Sequence, residues 1–353
     1  MLLSGELTMR ARAKINLTLD VTGVRPDGYH TLDTIIHSVD FGDDVRVALD
    51  DAIRVRCDTE TYMARGAGAA SLSCDGFSAA PSSFGFVKTP SAADIPTDEC
   101  NIAYRAVIVF VEAAKSRGGV PCAGASIHIL KRIPVQAGLG GGSADAAAVL
   151  VALNRLTGAG FSADELREIG ARVGADVPFC IEGGAARCTG IGEIVSSLPS
   201  LHTFVVLAKP AAGVSTPEAY RLLDTTTLPP HRPDTDAAEA ALRRGDVRRL
   251  GAALANVFPV PSQTATLIER MCTHGAAGAG MTGSGSAAFA LFETQTAATA
   301  CAAALSAQGK AQGDIPDVTG GVPSGWPAHT AAFITVTTLS SFTPCNRADG
   351  LLK

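Results

Sequence analysis

The run KRIPVQAGLGGGSADAAAVLVALNRL at residues 131–156 constrains this chain more than any other stretch. Its first half is too rich in glycine to extend a regular element. Its second half sets Ala146, Val149, Leu150, Leu153 and Leu156 on one helical face. A glycine loop therefore sits on a helix N-terminus. Gly138, Gly140, Gly141 and Gly142 accept φ values that turn successive N–H groups inward as an anion nest, and the helix adds the positive end of its dipole. Phosphate is the ligand such a loop suits; a tight turn before a helix explains the same glycines, and these residues alone leave both readings open. No Lys follows the glycines as in GxxxxGK[ST], and no acidic residue completes an ordered GxGxxG unit, so neither the P-loop nor the Rossmann fingerprint applies. Ser143, directly after the glycines, suits helix capping, Mg²⁺ ligation or both.

A chain of 353 residues is long for one hydrophobic core, and two domains are expected. With 46% hydrophobic and 18% charged residues it has the balance of a globular protein. The net charge of −5 offers no basic footprint for a nucleic-acid backbone, which excludes a polyanion partner but not a small phosphate-bearing ligand. Nine cysteines without a CxxC pair read as reduced, mostly buried thiols rather than a disulfide framework or zinc site. The opening MLLSGELTMR has no long apolar stretch, and no apolar run is long enough for a membrane span, so no membrane partner and a cytoplasmic location are expected.

Polar and apolar residues alternate over 8–22 through Ala13, Ile15, Leu17 and Leu19, the period of a half-buried strand. Pro26-Asp27-Gly28 supplies a turn, and 34–49 returns to a strand pattern. Residues 58–95, rich in Ala, Ser and Gly, read as a long loop or insertion. Helices are expected at 102–115, from the glycine loop to 156, at 162–174 with Ser162 and Glu165 as a capping box, and at 216–224, 235–256 and 262–274. Strands are expected at ASIHILKR, HTFVVLAKP and AAFITVTTL, the last after a connecting segment from Gln308 to Trp326. The mixture predicts an α/β or α+β architecture.

Phosphoryl transfer needs a group that handles the acceptor hydroxyl and a cation near the transferred group. Asp176, between a helix end and Pro178, suits the first role and equally suits a helix-terminus turn. Lys14 interrupts an apolar alternation, where a charge needs a partner, a cleft or an outward-facing position. Tyr29 and His30 follow the Pro-Asp-Gly turn and suit either a bound planar ring or a solvated turn with a packed Tyr. The other histidines show no ligand spacing.

Together AKINL at 13–17, RPDGYHTLDTI at 25–35, the 131–154 run, GADVPF at 174–179, GGAARCTGIGE at 183–193 and MTGSGSAAFALF at 281–292 resemble the GHMP small-molecule kinase superfamily. AKINL and DGYH narrow the resemblance to its branch acting on 4-diphosphocytidyl-2-C-methyl-D-erythritol in the non-mevalonate (MEP) route to isoprenoids. The resemblance implies a two-domain α+β fold: an N-terminal α/β ATP-binding domain over 1–196, a C-terminal α+β sandwich domain over 197–345, and the active site between them. It implies an alcohol phosphotransferase that uses ATP and Mg²⁺ to place a phosphate on the 2-hydroxyl of that cytidine-diphosphate sugar alcohol. A homoserine- or mevalonate-type kinase and a catalytically silent nucleotide sensor on the same fold are the alternatives. It further implies a monomer or weak homodimer.

Carried over by position, the catalytic pair falls on Lys14 and Asp176, and the substrate site on Asn16, Tyr29, His30, Thr216, Tyr220, Thr282 and Gly283. The nucleotide falls to Asn101, Lys131 and the loop Pro134, Val135, Gln136, Ala137, Gly138, Leu139, Gly140, Gly141, Gly142, Ser143 and Ala144, with Ser143 as the metal ligand. Three features depart from the family pattern: Ser143-Ala144 replaces a pair of serines, 58–95 lengthens the connection before Asn101, and 308–330 lengthens the approach to the last strand.

Overall fold

The computed structural model describes residues 5–59, 95–119, 122–226, 232–310 and 331–339. The elements run β1 (Glu6–Val24), β2 (His30–Asp50), β3 (Arg54–Thr59), α1 (Ile102–Ser116), β4 (Gly124–Lys131), α2 (Gly141–Thr157), α3 (Ala163–Ala171), α4 (Val177–Glu182), β5 (Ala185–Thr189), β6 (Ile194–Leu198), β7 (Phe204–Pro210), α5 (Thr216–Thr225), α6 (Thr235–Arg244), α7 (Val247–Ala253), β8 (Ala255–Asn256), α8 (Ser262–Thr273), β9 (Gly278–Met281), β10 (Ala288–Phe292), α9 (Gln295–Lys310) and β11 (Ala331–Thr338). Of the expected insertion, Asp58 and Thr59 end β3, and residues 60–94 lie outside the described residues, as do 311–330 of the late connecting segment. Among the described residues no helix is long and apolar enough to cross a membrane.

Local sequence explains the helix boundaries. The Asn101 side chain accepts from the Ala103 N–H at the start of α1, and Ser162 and Glu165 form the expected reciprocal capping box on α3. The single helix expected over 235–256 is instead two helices and a short strand. Gly245, at φ 67°, closes α6 in a left-handed turn, and the Asp246 side chain caps α7 by accepting from the Arg249 N–H.

A seven-stranded sheet has the order β3-β4-β2-β1-β8, with β5 added to β2 and β6 to β5. The 21-residue β2 serves two partners in turn, pairing with β5 through Thr34–His37 and with β4 through Asp44–Asp50. A four-stranded sheet has the order β11-β7-β10-β9. On one side of the larger sheet, Val45, Val47, Ile127 and Ile129 pack against α1 and α2 through Val107, Phe110, Val149 and Leu153. On its other side, Ile15 and Leu17 of β1 and Ile35 and Val39 of β2 join Val205 and Leu207 of β7, Phe289 and Leu291 of β10, and Leu250 of α7. Each such buried aliphatic or aromatic side chain contributes roughly 1.5–3 kcal/mol. Ala137 and Leu139 belong to this second cluster, so the glycine loop is rooted in the core that joins the two sheets.

Candidate active site

The loop at 134–140 joins β4 to α2 and is pinned on three sides. The Lys14 N–H donates to Leu139 O at 3.0 Å, the Ala287 N–H donates to Ala137 O at 3.1 Å, and the Thr282 hydroxyl donates to Gly138 O at 3.1 Å. Gly138 lies at φ 74°, and a Cβ there would stand 2.1 Å from Thr282 O, so the first glycine cluster lies directly on the second, TGSGS. Gly140, at φ 68°, holds the N-cap position of α2 without a side-chain cap, and Ser143 is the third residue of the helix. Ser143 therefore does not cap α2.

β1 is irregular where it passes beneath the loop. Its register against β2 shifts between Arg12 and Lys14 and again between Asn16 and Thr18. Lys14 is buried, and its Nζ donates to Asn16 Oδ1 at 2.7 Å while standing 3.4 Å from Asp176 Oδ2. The Asn16 amide donates to Thr34 Oγ1 at 2.9 Å, and the Asn16 backbone N–H donates to Thr282 Oγ1 at 3.0 Å. This network fixes the ammonium from below. Asp176 precedes α4, its side chain caps nothing, and it stays one-third exposed, leaving carboxylate oxygen for a ligand. Burial pushes the thiols of Cys180 and Cys188 up, so neither offers a thiolate.

Beneath the loop the Lys131 ammonium donates to Asp43 Oδ2 at 2.5 Å and Asp145 Oδ2 at 2.7 Å. All three side chains are buried. Burial alone would lower the Lys131 pKa, but the two carboxylates outweigh it and hold the ammonium charged. Burial pushes Asp145 above the usual carboxylate range against the pull of the Lys131 ammonium, and among the described residues its Oδ1 has no hydrogen-bond partner.

Lys14, Asn16, Lys131, the glycine loop and Asp176 line one cavity of about 380 Å³, which also takes in Tyr220 and Phe258 at an aromatic end. There the Tyr220 ring stacks on His30 at 4.7 Å and meets the edge of Phe258 at 4.9 Å. His30 Nε2 lies 2.7 Å from Asp224 Oδ1. Burial, then the nearby Asp176, pushes the Tyr220 phenol up to about 12, so its hydroxyl is a neutral donor. Thr216 opens α5 beside the cavity, with its hydroxyl 3.2 Å from that of Ser284.

Of the residues singled out in the sequence, Lys14, Asn16, Lys131, Pro134–Ser143, Asp176, Thr216, Tyr220 and Gly283 line this cavity. Thr282 is fully buried behind it, bonded to Asn16 and Gly138, and His30 reaches it through Tyr220. Three residues stand apart. Ala144 is buried in the helical core, Tyr29 is 61% exposed on its turn, and Asn101 caps α1 while donating to Pro96 O at 2.7 Å. Asp43, Asp145, Thr34, Phe258 and Asp224 were not anticipated. The acidic Asp43 inside a strand pattern carried the same signal that marked Lys14.

The family model for the GHMP kinase N-terminal domain matches residues 101–184, and that for the C-terminal domain matches 238–311. A 4-diphosphocytidyl-2-C-methyl-D-erythritol kinase of Caldicellulosiruptor saccharolyticus is 38% identical over 295 residues, 81% of this chain and 88% of that protein. The enzyme of the same name from Alkaliphilus metalliredigens is 38% identical over 82% of this chain and 88% of that protein. A crystal structure of 4-(cytidine 5'-diphospho)-2C-methyl-D-erythritol kinase superposes with a TM-score of 0.61 and 28% identity, covering 95% of this chain and 100% of that one. The chain belongs to the GHMP kinase family, in the branch formed by the 4-diphosphocytidyl-2-C-methyl-D-erythritol kinases.

Proposed function

We propose that this chain transfers the γ-phosphoryl group of ATP to the 2-hydroxyl of 4-diphosphocytidyl-2-C-methyl-D-erythritol, giving the 2-phosphate and ADP. The observation that carries the reading is the Lys14 ammonium 3.4 Å from the Asp176 carboxylate, in the same cavity as the glycine loop and the aromatic Tyr220 and Phe258. The acceptor oxygen attacks the γ-phosphorus as the bond to the β-phosphate oxygen breaks. Asp176 orients the hydroxyl and takes its proton, and Lys14 offsets the charge developing on the transferred group. The loop N–H groups and the α2 N-terminus hold the phosphates. Among the described residues no cluster of three or more His, Cys, Asp or Glu is placed to cage a metal. Mg²⁺ carried on nucleotide phosphates needs only one or two protein oxygens, and the Ser143 hydroxyl at the cavity wall is the ligand we assign. A Mg²⁺ held there would supply charge to offset that of the nucleotide phosphates.

The aromatic end receives the cytidine. The Tyr220 ring, stacked on His30 and in T-shaped contact with Phe258, is the aromatic surface we assign to the cytosine, with Thr216 lining the same cavity. With the domain boundary we assign at 196/197, Lys14, the loop and Asp176 belong to the first unit and Thr216, Tyr220 and Thr282 to the second. Incubating purified protein with ATP, Mg²⁺ and the cytidine substrate, and following ADP and the 2-phosphate by phosphorus NMR, tests the reading. Turnover of homoserine or mevalonate in its place, or nucleotide binding without any transfer, would refute it.

A further inference from the structure

Asp43 lies in β2, fully buried, 88 residues in sequence from the lysine it holds. Its two oxygens do different work. Oδ2 accepts from the Lys131 ammonium at 2.5 Å, while Oδ1 accepts from the backbone N–H groups of Arg132 at 2.5 Å and Ile133 at 2.7 Å. Those three residues are the end of β4 and the whole approach to Pro134, where the phosphate loop begins. The same ammonium reaches Asp145 on α2, beyond the loop. Asp43 and Asp145 thus tie the entry and the exit of the loop to one cation. A Cβ on Gly141 would stand 3.3 Å from Lys131 Nζ, which places the ammonium directly beneath the first residue of α2. An ammonium has three protons and the two carboxylates take two, leaving one for a ligand in the cavity that Lys131 lines.

We propose that Asp43 is a positioning residue for nucleotide binding: it sets the path of the backbone into the phosphate loop and holds Lys131 where its remaining proton meets a nucleotide phosphate. The proposal rests on reading the loop as the ATP cradle. Without Asp43 the ammonium keeps one carboxylate and loses its fixed place under Gly141, and the Arg132 and Ile133 N–H groups lose their acceptor.

Asp43→Asn keeps the size of the side chain and an acceptor for Arg132 and Ile133, but turns an NH₂ group towards Lys131. Calorimetry with ADP and Mg²⁺ on the full chain should show the ADP Kd raised about tenfold, the expected effect of losing one charge-assisted hydrogen bond. The KM for the acceptor substrate should stay within about twofold, since the aromatic end of the cavity is untouched. An ADP Kd within twofold of the parent, or equal rises in both constants, would overturn the proposal. A purely structural Asp43 would lower the melting temperature without that split. Should Asp43→Asn fail to fold, Lys131→Met carries the test through the same ammonium, and an unchanged ADP Kd there also overturns it. The ADP titration needs no acceptor. Absence of ADP binding by the parent protein would refute the loop assignment itself, whereas equal binding by parent and variant refutes only the role of Asp43.

Discussion

A methyl group on Gly140 would lie 2.8 Å from Lys14 Cγ and 3.1 Å from its Cε, at a residue held at φ 68°. Gly140→Ala therefore carries two separable consequences. Holding an L-residue in the left-handed region costs about 1–2 kcal/mol. That lowers the melting temperature by a few degrees in a chain of this size. The contact itself is with a flexible side chain, so Lys14 yields, and its Nζ leaves the positions 2.7 Å from Asn16 Oδ1 and 3.4 Å from Asp176 Oδ2. A displacement of about 1 Å at a reacting centre can lower the rate by roughly 100-fold. Steady-state kinetics by coupled ADP release, thermal melts and ADP titration on one preparation separate the effects. The expected result is a kcat about 100-fold down, a melt shifted by a few degrees and an ADP Kd changed much less than kcat. A kcat within threefold of the parent at the expected melting shift would show that the Lys14 position beneath the loop does not set the rate.

Asp176→Asn should lower kcat by about 100-fold or more with ATP binding roughly intact, and a nearly unchanged rate would remove Asp176 from the chemistry. Tyr220→Ala should raise the acceptor KM far more than the ATP KM; equal effects would refute the stacking role. His37 is buried between its Nδ1–H bond to Ser38 O at 2.9 Å and the Leu201 N–H donating to its Nε2 at 3.1 Å. Burial lowers its pKa from 6.5 to about 4. The unfolded chain therefore binds the additional proton between those values. The His37 contribution is intact above pH 6.5 and is lost as pH falls towards 4, by about 3 kcal/mol in all. His37→Gln keeps an acceptor for Leu201 and should flatten the decline in urea midpoint between pH 7 and pH 4.5; an unchanged slope would refute the assignment.

The residues that could be read from the sequence are those whose neighbours in the chain declare them. Lys14 breaks a strand pattern, the glycines precede an apolar-striped helix, and Ser162 stands three residues before Glu165. What escaped depends on contacts between distant segments. His30 and Tyr220 were each singled out, but not their stacking, which comes from the start of β2 meeting α5; Asp43 was missed because it meets Lys131 only through the pairing of β2 with β4. β8 is two residues long, too short to carry any period. Gly245-Asp246 was legible in principle as a C-terminal glycine followed by an N-terminal cap, and the strong apolar pattern on either side concealed it. Ser143 shows the limit of spacing arguments: a serine at a helix start is placed for capping only if the helix begins just after it, and α2 begins two residues earlier.

The core that joins the two sheets bears on how the cavity can open and shut. Ile15, Leu17 and Ile35 from the first half of the chain interlock with Val205, Leu207 and Phe289 from the second, and β8 adds a second-half strand to the first-half sheet. Parting the halves like jaws would expose this apolar layer to water, so access to the cavity is left to the short segments that line it, the α5 start at Thr216 and the Gly283-Ser284 pair. Substrate entry then becomes a matter of short segments moving over a close-packed apolar floor.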